Sequence, residues 1–162
     1  MASGHRPQYL ECKYDETHEW LIDLKHKLYT WLHHNKSDIE YTISGMALGF
    51  DTWFAEECLK LRIPVHAYIP FVGQELYWVN SAQERYNNIL KACDNINITS
   101  REYSKRVFLD RDKNMVSNAT DVAALYNPSI KTGGTYYTIE YAKKNNLNIH
   151  NFWKGSQNMF RW

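Results

Sequence analysis

The chain has no long apolar run: none of its segments approaches the roughly 20 residues needed to cross a bilayer. Its first residues, Met1 to Pro7, carry no apolar stretch of the kind that drives secretion. It has few cysteines. Cys12, Cys58 and Cys93 lie far apart and form no C-x-x-C pair, so a disulfide framework is excluded and buried or idle thiols of a reducing compartment are expected. The expected location is therefore cytoplasmic, with no membrane partner. No excess of either charge is present, since the formal net charge is +1. That balance argues against a protein that holds nucleic acid through a broad basic field. Internal repeats, low-complexity tracts and linkers are absent, and so are the G-x-S-x-G, H-E-x-x-H and G-x-x-x-x-G-K-[ST] patterns. The seven histidines show no metal spacing, and His33 and His34, being adjacent, point to different faces of a helix. No metal site is expected.

What remains is one domain's worth of chain. A length of 162 residues can bury roughly two-thirds of the unfolded surface without a staple. Residues 1–155 are read as a single domain and 156–162 as a C-terminal tail. Apolar residues recur at helical spacing in Trp20, Leu21, Leu24, Leu28, Trp31 and Leu32, which predicts a helix over 15–35. Further helices are predicted at 51–61, 81–92, 104–118 and 135–146. Strands are predicted at 38–44, 65–69, 95–99, 121–126 and 148–152. Strands alternating with helices of this length imply parallel pairing with right-handed crossovers. The expected fold is α/β: a Rossmann-like three-layer sandwich around a mostly parallel sheet, with a first strand before Gly4 that is short or missing.

In such a sheet, ligands bind outside the carboxyl ends of the strands. Two glycine-containing turns fall there: Ser44-Gly45-Met46-Ala47-Leu48-Gly49-Phe50-Asp51 after the strand at 38–44, and Lys131-Thr132-Gly133-Gly134-Thr135 after the strand at 121–126. Glycine lets the backbone approach a ligand, and the helix that follows offers free N–H groups to a phosphate. Thr135 and Thr138 add hydroxyl donors, and Gly4-His5-Arg6 forms a third turn in which His5 and Arg6 are candidates for phosphate or substrate contact. Three carboxylates are candidates for chemistry: Asp51, whose plainer role is a helix N-cap, and Glu75 and Glu140, whose plainer role is a solvated surface. Trp53, Trp78 and Tyr103 sit beside turns and polar clusters, where a ring could stack on a base.

These motifs carry a resemblance. Ser44 to Asp51 resembles the SG-[ML]-A-x-G-x-D turn of the SLOG superfamily, which includes the Rossmann domain of DNA-processing protein A, the LOG-type nucleotide phosphoribohydrolases and the YpsA-like proteins. Gly133 to Ala142 is similar to its second signature, [SG]-G-[ST]-x-x-T-x-x-x-A. Ser3 to Pro7 resembles the T-G-H-R-P start of the YpsA-like branch, and Pro70-Phe71-Val72-Gly73-Gln74-Glu75-Leu76-Tyr77-Trp78 its P-F-x-G-Q-E-x-x-W loop. Gln83 to Tyr86 and Tyr103-Ser104 complete the pattern. The resemblance implies ligand contacts at Gly4, His5, Arg6, Ser44, Gly45, Met46, Ala47, Gly49, Asp51, Trp53, Pro70, Glu75, Trp78, Tyr103, Arg111, Gly133, Gly134, Thr135 and Thr138. It also shows departures. Arg111-Asp112 stands where the branch usually has Arg-Asn, and Met115-Val116-Ser117 where it often has Met-Val-Asp. The LOG-type P-G-G-x-G-T-x-x-E spacing is not reproduced, because Glu140 follows Gly134-Thr135 at a longer interval.

The resemblance thus implies binding more firmly than catalysis. The leading expectation is a module that binds a nucleotide or an NAD-derived, ADP-ribose-like ligand in a sensing or sequestering role. In a virus-encoded member, that role would be to remove a host signalling nucleotide. The alternatives are an enzyme acting on an N-glycosidic bond of nucleotides and a single-stranded DNA binder. Self-association is left open.

Overall fold

The computed structural model describes residues 1–153; the tail expected at 156–162 lies outside them. Among the described residues, six parallel strands alternate with five α-helices. β1 (Ala2–Gly4), α1 (Glu19–Asn35), β2 (Thr42–Ser44), α2 (Phe50–Lys60), β3 (Val65–Phe71) and α3 (Asn80–Ala92) form the first half. β4 (Asn95–Ser100), α4 (Val107–Ser117), β5 (Asp121–Leu125), α5 (Gly133–Lys144) and β6 (Asn148–Asn151) form the second. The first strand is present but short, and it pairs in parallel with β5, Ala2 beside Ala123. The strand expected over 38–44 shrinks to three residues: Asp38 ends a 3-10 turn, and residues 39–41 lead into β2 without joining its ladder. α1 starts four residues later than expected. Its cap is His18, whose Nδ1 accepts from the Trp20 N–H, while Asp15 closes a turn on Thr17.

The strands form two ladders, β4-β3-β2 and β1-β5-β6. β1 and β2 lie side by side between them, giving a Rossmann-like order. The expected single sheet is therefore corrected at its centre: the two middle strands, three residues each, are in contact without a shared hydrogen-bonded ladder.

Period-two alternation puts helices on both faces. In β5, Ala123 and Leu125 join a core with Leu21, Leu28, Phe50 and Phe54 of α1 and α2, while Val122 and Ala124 join a second core with Met115 and Val116 of α4 and Ile139 of α5. A strand buried on both sides reads as a continuous apolar run, as the VAAL of 122–125 does. No helix of the described residues is long and apolar enough to cross a membrane.

Candidate functional site

The carboxyl ends of β1, β2 and β5 open into a cleft of about 580 Å³. One wall is β1 and the turn after it, with His5, Arg6 and Tyr9. Another is the start of α2, with Ala47 and Asp51. α4 contributes Phe108, Arg111, Asp112 and Met115, and the start of α5 contributes Thr132 to Thr135 and Thr138.

The turn between β2 and α2 is knitted to itself. The Ser44 hydroxyl donates to the Asp51 carbonyl (2.9 Å) and accepts from the Met46 N–H (3.1 Å), and the Thr52 hydroxyl donates to the Ala47 carbonyl (2.9 Å). Met46 and Gly49 hold positive φ, 54° and 94°, and a Cβ on Gly49 would press on the Pro7 ring at 2.8 Å. Arg111 reaches under this turn from α4. Its Nη1 donates to the Gly45 carbonyl at 2.5 Å and its Nε to the Asp112 carboxylate at 2.7 Å. Gly45 makes room for this contact: a Cβ there would overlap the Arg111 guanidinium and stand 2.8 Å from the Asp51 carboxylate, so one of them would have to shift. Burial pushes the Asp51 carboxyl up to about 6, against the opposing pull of Arg111 and Arg6.

The turn into α5 is open. Thr132, its N-cap, makes no side-chain cap bond, so the first N–H groups of α5 are left to solvent or ligand. Gly133 holds φ 88°, and among the described residues no atom beyond the turn and its own helix lies within 4 Å of a Cβ built on Gly133 or Gly134. Two threonines fix the turn from outside. Thr135 Oγ1 donates to the Gly4 carbonyl (3.0 Å), and Thr138 Oγ1 lies 2.9 Å from both the Asp112 carboxylate and the Gly134 carbonyl. Arg6 lines the cleft, and its guanidinium has no hydrogen bond or ion pair among the described residues. His5 is anchored: its Nε2 accepts from the Asn127 N–H at 2.9 Å, which makes the ring neutral with its proton on Nδ1, and burial lowers its pKa.

Other expected residues lie elsewhere. Trp53 is buried on the α1 side of α2, where its indole N–H donates to Glu16 at 2.8 Å, so it cannot stack on a ligand in the cleft. Glu140 is paired with Lys143 at 2.8 Å and lines a groove between α4 and α5 that adjoins the cleft, sharing Phe108, Asp112, Gly134 and Thr138 with it, but it is not itself in the cleft lining. Glu75 and Trp78 belong to the loop after β3, outside the cleft lining. Gln74 ties that loop to the Ser44–Asp51 turn by donating to the Met46 carbonyl at 3.3 Å, and Trp78 packs edge-on against Tyr86. Pro70 is buried near the end of β3. Tyr103 is exposed but touches Phe108 edge-on, which puts it at the rim. The three candidate carboxylates therefore do not converge. The second carboxylate of the cleft is Asp112, absent from the sequence-based set. Phe108, Asp112 and Met115 recur at spacings of four and three along α4, which was the signal that could have found it.

The comparisons with known proteins agree with this architecture. The YspA SLOG family model (YpsA) matches residues 1–153. A UPF0398 protein of Halalkalibacterium halodurans is 32% identical over 111 residues, 64% of this chain and 58% of that protein. A UPF0398 protein of Bacillus cereus strain B4264 is 28% identical over 128 residues, 75% of this chain and 67% of that one. The match thus spans about three-fifths to two-thirds of the length of these relatives. Among solved structures, DNA processing protein A from Streptococcus pneumoniae is similar in fold, with a TM-score of 0.63 at 15% identity, over 93% of this chain and 49% of that one.

Proposed function

Since the chain belongs to the YspA SLOG family, we propose that its cleft binds a small phosphorylated nucleotide or an NAD-derived, ADP-ribose-like ligand, in a sensing or sequestering role. The observation that carries this reading is the pairing, in one cleft, of a helix N-terminus at Gly133–Thr135 without a side-chain cap and an Arg6 guanidinium that makes no hydrogen bond among the described residues. Phosphate needs both: N–H donors aimed along a helix axis and a cation with free N–H groups. Carboxylates at Asp51 and Asp112 suit the hydroxyls of a ribose and oppose a continuous phosphate backbone. Phe108, with Tyr103 at the rim, is the ring a base would meet, in place of Trp53.

The experiment is to purify the protein, release its contents by heat and identify any retained nucleotide by mass spectrometry. Recovery of an intact nucleotide supports the reading. Tight capture of single-stranded oligonucleotide that collapses with salt, with no small ligand retained, refutes it.

A second reading, cleavage at an N-glycosidic bond, is favoured by one observation: Asp51 is buried in the cleft with its carboxyl pushed up to about 6. A carboxylate beside the anomeric carbon can stabilise an oxocarbenium-like transition state. No second carboxylate stands opposite it with a free approach, because Asp112 is engaged by Arg111 and Thr138. Incubation with nucleoside monophosphates is therefore expected to release no free base at the rates of order 1 s⁻¹ that a dedicated enzyme reaches.

A further inference from the structure

The far edge of the sheet, away from the cleft, is unlike the rest of it. β4 has one strand neighbour among the described residues, β3. The Asp94 N–H donates to the Val65 carbonyl (2.9 Å) and the Val72 N–H to the Ser100 carbonyl (3.3 Å). The backbone groups of the even-numbered residues thus face β3, and those of Asn95, Asn97 and Thr99 face outward. Side chains divide by the same parity. Asn97 meets Asn114 of α4 at 3.4 Å, so Asn95, Asn97 and Thr99 share the α4 face. Ile96 and Ile98 share the other face and are 47% and 50% exposed. Natural edge strands are usually blunted by lysine, proline, bulges or inward charges; residues 95–100 contain no charged residue and no proline. Thr99 Oγ1 is buried with no hydrogen-bond partner.

We infer that β4 is the interface of a homodimer, pairing antiparallel with β4 of a second copy about a two-fold axis through Asn97. In this register the outward groups of Asn97 meet those of position 97 in the second copy, and Asn95 meets position 99. Both are hydrogen-bonded pairs of an antiparallel ladder, which is the pattern the outward backbone groups require. Ile96 then lies directly across from position 98, twice by symmetry, in the closer non-hydrogen-bonded pairs. Asn95 lies across from position 99 on the α4 face. An unrelated extended segment could pair with the same backbone. The strand's own sequence supplies both isoleucine pairs and both Asn–Thr pairs at once, as an isologous interface demands. The inference is independent of the ligand reading, because β4 contributes nothing to the cleft.

Light scattering after gel filtration at tens of micromolar should give a discrete dimer. Ile98→Lys changes a half-exposed side chain, so circular dichroism should be unchanged while the dimer weakens at least about tenfold, since it sets a charge against Ile96. Adding Ile96→Glu should restore the dimer, because this register alone places positions 96 and 98 face to face. A wild-type monomer, a dimer indifferent to Ile98→Lys, or a failure of Ile96→Glu to restore it overturns the proposal.

Discussion

The two glycine turns at the head of the sheet resemble each other in sequence and differ in what surrounds them. At Gly45 a missing Cβ makes room for the protein itself: Arg111 and Asp51 fill the space. At Gly134 the missing Cβ leaves a volume that, among the described residues, no atom beyond the turn and its own helix enters. The first turn is frame and the second is socket. A glycine at a strand-to-helix turn therefore says only that something comes close; whether it is a side chain or a ligand depends on what the opposite helix sends toward it. Here α4 sends an arginine to one turn and not to the other.

Breaking the frame should have the largest effect. Arg111→Ala removes the donor to the Gly45 carbonyl, the ion pair of Asp112 and the stronger of two countercharges to Asp51, and should cost about 3–5 kcal/mol of stability, as loss of one member of a buried ion pair does. Chemical denaturation measures it; a change below ~1 kcal/mol would mean the turn is held by other contacts. Gly45→Ala should cost about 1–3 kcal/mol, because the guanidinium must shift to admit the methyl group. Gly134→Ala is its control and should leave the denaturation midpoint unchanged or slightly raised, since alanine is the better helix former where its methyl group meets open space.

The frame also carries a pH dependence. The Asp51 carboxyl titrates near 6 in the folded chain, above its ordinary value of 3.8, so between those values the native state holds a proton that the unfolded state has released. Stability from this group is full below pH 3.8 and is lost as pH rises through about 6. The loss amounts to about 3 kcal/mol, since each tenfold change in proton affinity is worth about 1.4 kcal/mol. Asp51→Asn should remove that slope and leave the protein more stable than wild type at pH 8. Equal slopes for the two proteins would show that Asp51 titrates normally.

The alternation of strands and helices along the chain and both glycine turns were legible from residue spacing, because the alternation of apolar segments sets the layers and glycine marks the turns. The direction of individual side chains was not. Trp53 follows Asp51 by two positions and Glu140 follows Thr138 by two. Two residues along an α-helix is a rotation of about 200°, so when Asp51 and Thr138 face the cleft, Trp53 and Glu140 face away from it. A residue near a turn in sequence is near it in space only on the helix face that looks inward. Asp112 is on the inward face of α4, in the i, i+4, i+7 row of Phe108, Asp112 and Met115, where Arg111 and Thr138 bracket it. The short β2 and the interrupted pairing between β1 and β2 were beyond reach, since residues 39–41 have the composition of a strand yet lie outside the ladder.

The central claim, that the open turn is a phosphate socket for a small ligand, is tested most directly by calorimetric titration of ADP-ribose into wild-type protein and into Gly134→Asp. The substitution fits the vacant space, and its carboxylate would sit where the phosphate is expected, against the N-terminus of α5. The account predicts saturable binding to the wild type with a shallow salt dependence, and no detectable binding to a Gly134→Asp protein whose denaturation midpoint is unchanged. Equal affinity for both proteins, with the fold intact in each, would contradict it.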